Sequence, residues 1–329
     1  MTGLKAFASL ILLPSCLLSQ AWLSPQGQGT FSFFYQYGFD RYHFYSKGEA
    51  LDKGHIFSHA LLMDVDYSLS DRLAVRLTLP YIDDKYEGAS PHVLVRGQPA
   101  TAVEVDNGSY HGGIQDFRFD VRYNLSKRKL MLTPFFQAII PSHGYPTLGH
   151  AAIGTDQREY RMGVNVGRRL DPWLPKAYVQ GQYAFGFVQE VANVAPKRSY
   201  GELQLGYLFS RHLSVQGSTV WTHSYNGIEW INGVYPNNLT DEQWLNHDRI
   251  SRAELLDVGG SATYSVNRST GMFLGWGRSL FGANTHQRAA VVTIGFTKSF
   301  STRSGEKSSA NALLPASKQA LVCTCAKTK

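Results

Sequence analysis

Within the 329-residue chain, Asp116, Arg118, Asp120 and Arg122 fall at every second position, separated by Phe117, Phe119 and Val121. Carboxylates and guanidiniums at that spacing can neutralise partners on a neighbouring strand or present fixed charge to a passing solute. No serine, cysteine or histidine stands among them to complete a catalytic set. Charges of matching parity recur at Asp64 and Asp66, Arg76, Glu159 and Arg161, Arg169 and Glu202. If these residues share one face of a sheet, opposite charges on adjacent strands pair across it. The set then serves as a structural ladder, as a selectivity lining, or as both.

A second candidate is Trp221-Thr-His-Ser-Tyr-Asn-Gly227. It resembles the His-x-Ser-Asn-Gly motif of outer-membrane phospholipase A, a family of twelve-stranded barrels. In that family the histidine and serine lie two apart on one face, so the imidazole can deprotonate the hydroxyl. His223 and Ser224 are adjacent, and on a strand they point to opposite faces. Tyr225 stands in the serine position, and the family's serine- and arginine-rich continuation is missing. No His-Glu-x-x-His run appears. The eleven histidines suggest neither a metal tract nor a relay. Only three cysteines occur, so no disulfide framework holds the body together. The residues therefore predict no enzyme, no cofactor and no metal.

Strands must position these charges. Over Gly113–Leu125, Phe117, Phe119, Val121, Tyr123 and Leu125 point one way and Asp116, Arg118, Asp120, Arg122 and Asn124 the other. A period of two over that length marks a strand, whereas a helix would scatter the charges around its circumference. Leu61, Met63 and Val65 likewise oppose Asp64 and Asp66. Tyr160, Met162 and Val164 oppose Glu159 and Arg161. Leu203 and Leu205 oppose Glu202 and Gln204.

Tight links at Ser70–Arg72, Ser126–Lys129, Asp171–Pro175, Ser210–His212 and Asn267–Ser269 alternate with long ones near 46–55, 82–112, 141–157, 189–197, 224–251 and 280–286. This alternation predicts an all-β, antiparallel up-and-down transmembrane barrel of about twelve strands, with short periplasmic turns and long extracellular loops. Two loops carry aromatic and titratable residues able to narrow the barrel. One holds Asp83, Asp84, His92, Arg96, Glu104, Asp106 and His111. The other holds Trp230, Tyr235, Asp241, Glu242, Trp244, His247 and Asp248.

Composition agrees. Charged residues are 17% and aromatics 13%, with a mean hydropathy of −0.22. Such a mixture fits apolar residues diluted by alternation and not disorder. Residues 1–21 read as a secretory signal: Lys5, an apolar stretch over Ala6–Leu18, and Ser19-Gln-Ala21 for cleavage. The barrel is expected over 22–300, and a flexible basic tail with Cys323 and Cys325 over 301–329. The formal net charge of +7 sits mostly at these ends, so the near-neutral body has no electrostatic footprint for nucleic acid.

Gly113-Ile-Gln-Asp-Phe-Arg-Phe-Asp-Val-Arg-Tyr-Asn-Leu125 and Leu132-Thr-Pro-Phe-Phe-Gln-Ala-Ile-Ile-Pro-Ser-His-Gly144 resemble the outer-membrane transporters associated with meta-pathway phenol degradation. Those proteins show Gly-x-Gly-Asp before an alternating strand, then a strand ending in a Pro-Thr-Gly-like turn. Gln115 replaces the second glycine here, and Ser142-His-Gly144 the Thr-Gly step. The resemblance spans about residues 55–300. It implies passive uptake of small, often hydrophobic or aromatic molecules across the outer membrane. The partners expected are outer-membrane lipids, the barrel insertion machinery and a small-molecule solute. The alternatives are a lipid hydrolase of the phospholipase A type and a surface adhesion or assembly barrel.

Overall fold

A computed structural model describes residues 20–44, 49–98, 102–127, 129–229, 236 and 238–302. Residues 1–19 of the expected signal, including Cys16, lie outside the described residues. So does the tail beyond 302 with Cys323 and Cys325.

Twelve staves follow in chain order. They are β1 Gln28–Phe44, β2 His55–Ser68, β3 Leu73–Glu87, β4 in two segments, His111–Ile114 and Phe117–Tyr123, β5 Leu130–Ile140 and β6 Glu159–Arg169. The second half comprises β7 Ala177–Val188, β8 Lys197–Leu208, β9 Leu213–Ser224, β10 Glu254–Ser265, β11 Thr270–Ala283 and β12 Thr285–Ser301. Each stave pairs antiparallel with the next, and β12 returns to β1 over Gln28↔Ser301 through Phe44↔Thr285. The sheet thus closes on itself and leaves no open edge, which is what a lipid environment demands of strands.

The period of two fixes which side faces what. Leu61, Met63, Val65, Phe117, Phe119, Met162, Leu203, Leu205, Leu274, Trp276 and Ile294 are exposed on the outside. Asp64, Asp66, Asp120, Arg122, Glu159, Asn165, Gln204 and Thr293 are buried inside. This inverts a soluble protein and defines a membrane-facing belt. Tyr67 stacks on Phe300, with ring centroids 6.2 Å apart, and Tyr207 packs on Phe209 at the same short-turn rim. Aromatics at that level suit the membrane–water interface. Arginine in place of Leu203, mid-stave and 54% exposed to lipid, is expected to destabilise the barrel by about 2–4 kcal/mol. Urea titration in phospholipid vesicles measures this.

Three sequence expectations change. Gly113–Leu125 is not one unbroken strand. Ile114 pairs with Tyr81 and Arg118 with Thr78, so β4 holds one residue more than β3 between these pairs. Pro80 lies opposite the bulge. It has no N–H to give the ladder, but its carbonyl accepts from Gln115 N at 2.9 Å. The link near 280–286 is not long, since β11 and β12 meet across Asn284 alone, in the left-handed region at φ 52°, which asparagine tolerates. Asp83 and Asp84 are not loop residues, because β3 runs to Glu87, and Asp84 is buried on the inner face.

Candidate functional site: the barrel lumen

The charges predicted from parity line the inner wall as a ladder. Near the short-turn rim, the Arg122 guanidinium donates to Asp66. Next, Arg76 Nε donates to Asp64 Oδ1 at 2.7 Å, and Thr78 Oγ1 donates to the same oxygen at 2.6 Å. Asp120 accepts from the Gln137 amide at 2.7 Å. Arg118 donates to Gln115 Oε1 at 3.3 Å, and Tyr145 donates to Asp116 Oδ1 at 2.5 Å. Above them, Glu159 accepts from Arg161 Nε at 2.8 Å, Arg198 at 3.3 Å and the Tyr200 hydroxyl at 2.6 Å. The Arg161 guanidinium lies 3.6 Å from the Tyr200 ring centroid, a cation–π contact.

Two predicted members stand apart. Arg169 pairs with Asp171 at the rim, at 2.6 Å. Glu202 accepts from Gln20 at 3.4 Å and from Gln204. Parity alone did not single out Arg198 and Tyr200, or the Arg288–Asp257 pair at 2.5 Å. Arg198 and Tyr200 share the inward parity of Glu202 on the same stave, which was the available signal.

One stretch of wall is apolar. Phe34, Ala60, Leu62, Ile82 and Phe273 cluster inside, and Ile153 packs on them from the segment between β5 and β6. That segment, residues 141–158, bends into the barrel. The Gln115 side-chain amide donates to Ile153 O, and Arg249 Nε donates to Thr155 O at 2.8 Å. The inserted segment thus crosses from the charged wall to the apolar one. Of the loops expected to narrow the barrel, the described residues 88–98, 102–110, 225–229 and 238–253 pack over it, with Val93, Ile228, Trp244 and Ile250 forming a small core. Trp230 and Tyr235 lie outside the described residues.

Histidines dispersed along the chain meet beneath this cap. His92, His150 and His247 are fully buried, as is His43, and His286 nearly so. Tertiary contact thus gathers histidines that the sequence leaves far apart. Burial pulls the His150 imidazole down to about 3 and pushes the Asp248 carboxyl up to about 7, since a low-dielectric site disfavours either charge.

At the other mouth, residues 20–27 lead into β1 and lie across the opening. Gln26 N donates to Asp71 Oδ1 at 3.0 Å. On the far side, Trp22 packs edge-on to Tyr178 at 6.0 Å, and Ala21 O accepts from Thr133 Oγ1 at 2.7 Å. Gln20 borders a space of about 160 Å³ lined also by Asn165, Gln180, Gln182, Glu202 and Gln204.

His223 and Ser224 behave as strand alternation requires. Ser224 is buried inside, whereas His223 lies outside beside Trp221 and Tyr225. The imidazole cannot reach that hydroxyl.

No protein-family model and no curated protein matches the sequence. Among solved structures, the COG4313 outer membrane channel from Pseudomonas putida F1 is similar at 14% identity and a TM-score of 0.63. The match covers 86% of this chain and 99% of that one. The translocator domain of autotransporter NalP from Neisseria meningitidis matches at 10% identity and a TM-score of 0.48, over 84% and 90% of the two chains. NanC porin matches at 8% and 0.45, over 82% and 98%. Together with the closed twelve-stave sheet and its apolar outer belt, the likeness to the first of these establishes the fold: the protein is a β-barrel of the outer-membrane type.

Proposed function

We propose that the protein is an outer-membrane channel for passive passage of small solutes, amphipathic molecules carrying an aromatic ring above all. The observation that carries this reading is a lumen with two unlike walls. The Arg/Asp/Glu ladder offers charge to a carboxylate or hydroxyl. The Phe34–Leu62–Ile82–Phe273 patch, covered by Ile153, offers an apolar surface to a ring once the 141–158 segment moves aside. Phenol-like solutes and small aromatic acids have both features. Arg76, Arg118, Arg122 and Arg161 supply the positive side of the lining; acidic ladder members hold Arg76, Arg122 and Arg161 in place, and Gln115 holds Arg118.

Planar-bilayer recordings test the channel, and liposome influx of benzoate against glucose tests the solute class. Benzoate is expected to enter faster. In the double variant Arg118→Gln/Arg122→Gln, two positive charges leave the wall and the reversal potential in a salt gradient moves toward cation preference. An unchanged reversal potential in a correctly folded barrel would place both residues outside the pathway. Absence of conductance, in the wild type and with the mouth-crossing segment displaced, would remove the channel reading.

A further inference from the structure

We propose that the extracellular cap carries a binding site for a divalent transition cation of the zinc class, held by His92 Nε2, His247 Nε2 and the Asp248 carboxylate. His92 comes from the loop after β3, and the other two come from the loop after β9, so the ion would tie two loops together.

The proton positions lead to this site. Asp106 Oδ2 accepts from His92 N and lies 2.8 Å from His92 Nδ1, while its other oxygen accepts from Ala151 N at 3.1 Å. A carboxylate ringed by N–H donors is an acceptor, so the His92 proton sits on Nδ1 and Nε2 carries a lone pair. His247 Nδ1 faces the Trp244 carbonyl. A carbonyl only accepts, so this imidazole too is protonated on Nδ1. Both bare nitrogens then turn toward one carboxylate. His92 Nε2 lies 3.5 Å from Asp248 Oδ2, and His247 Nε2 lies 3.4 Å from Asp248 Oδ1. All three side chains are at most 1% exposed, and His92 Nε2 and Asp248 Oδ1 have no hydrogen-bond partner.

Acceptors facing acceptors in a buried site repel unless a cation, or a proton on the carboxyl, lies between them. Ligands bound tetrahedrally to zinc at about 2.0–2.1 Å sit about 3.3 Å apart, close to these separations. The ligand-capable atoms lie within 4.8 Å of one another. Asp106 behind His92 supplies the carboxylate that orients a metal-binding imidazole, and Gly149 N holds Asp248 Oδ2 at 3.1 Å. The neighbouring trio His92, Asp106 and His150 is a poorer candidate. Both His150 nitrogens are engaged, with Ser90 O at 3.0 Å and His286 Nε2 at 3.2 Å.

Tag-free barrel in detergent, stripped with chelator and dialysed against zinc chloride, is expected to retain one zinc per chain. His92→Gln and His247→Gln should abolish that retention. Asp106→Asn should weaken it about 10–100-fold, as loss of an orienting carboxylate does. His223→Gln, on the outer wall, should leave it unchanged. Heat-modifiable migration on gels reports whether each variant folds. If the cap variants fail to fold, cobalt(II) added to wild-type protein decides: intense d–d bands of a four-coordinate site support the proposal. A spectrum of aqueous cobalt, or no retained zinc, overturns it and leaves a proton shared with Asp248 as the bridging charge.

Discussion

Glu159→Gln is expected to lower the stability of the folded barrel by about 3–5 kcal/mol, the cost of removing one partner from a buried ion cluster. Glu159 is the carboxylate that, among the described residues, hydrogen-bonds to Arg161, Arg198 and the Tyr200 hydroxyl together, and its side chain is 5% exposed. Glutamine keeps the shape and can still accept from Tyr200, but it leaves two buried guanidiniums without their countercharge. Arg169→Gln provides the comparison. Its partner Asp171 is 40% exposed at the rim, where an ion pair contributes about 0–1 kcal/mol. Urea unfolding in micelles, followed by tryptophan fluorescence, should separate the two variants clearly. Equal and small effects would mean that water fills the lumen around Glu159 and screens the ladder.

Displacing the segment that crosses the short-turn mouth is expected to raise single-channel conductance several-fold. The segment rests on Gly167, where an added Cβ would come 2.6 Å from the Trp22 ring. Gly167→Leu therefore evicts the segment without altering it. Trp22→Ala removes its anchor against Tyr178, where the half-buried ring packs edge-on. The two variants change opposite sides of one contact, so both should open the mouth while migrating on gels as folded barrels. Unchanged conductance in both would mean that the narrowest point lies elsewhere, with the segment that carries Ile153 as the next candidate.

Local information made the wall of this barrel legible. Alternation places Phe119 and Leu203 outside and Asp120 and Glu202 inside because strand side chains have only two directions to take. The tight turns followed from polar residues between apolar strand ends. The bulge at Gln115 was not legible, because its cause, Pro80, sits on a different strand. The β11–β12 link reads as long in the sequence because Gly282, Asn284 and His286 look like loop residues, yet at a rim small and polar side chains belong on strands too. The histidine cluster was hidden for a different reason. His92, His150 and His247 lie on three separate loops, each unremarkable by itself, and only closure of the barrel brings those loops over one mouth. The crossing segment has no period of its own, and only its docking against Gly167 and Tyr178 gives it a place.

Closure also sets the order in which this molecule can form. The longest pairing joins the first stave to the last, Gln28 opposite Ser301, across almost the whole chain. Eleven of the twelve pairings can assemble between sequence neighbours, at modest loop-closure cost. The twelfth must wait until Thr285–Ser301 is in place. Until then β1 and β11 each present an unpaired edge, a template for pairing with another chain. Pairing of such distant residues is intrinsically slow, so the nascent barrel spends its most vulnerable interval with both edges open. Substitutions confined to β12 should therefore act first on assembly yield, and aggregates should form before any loss of stability is measurable in barrels that have closed.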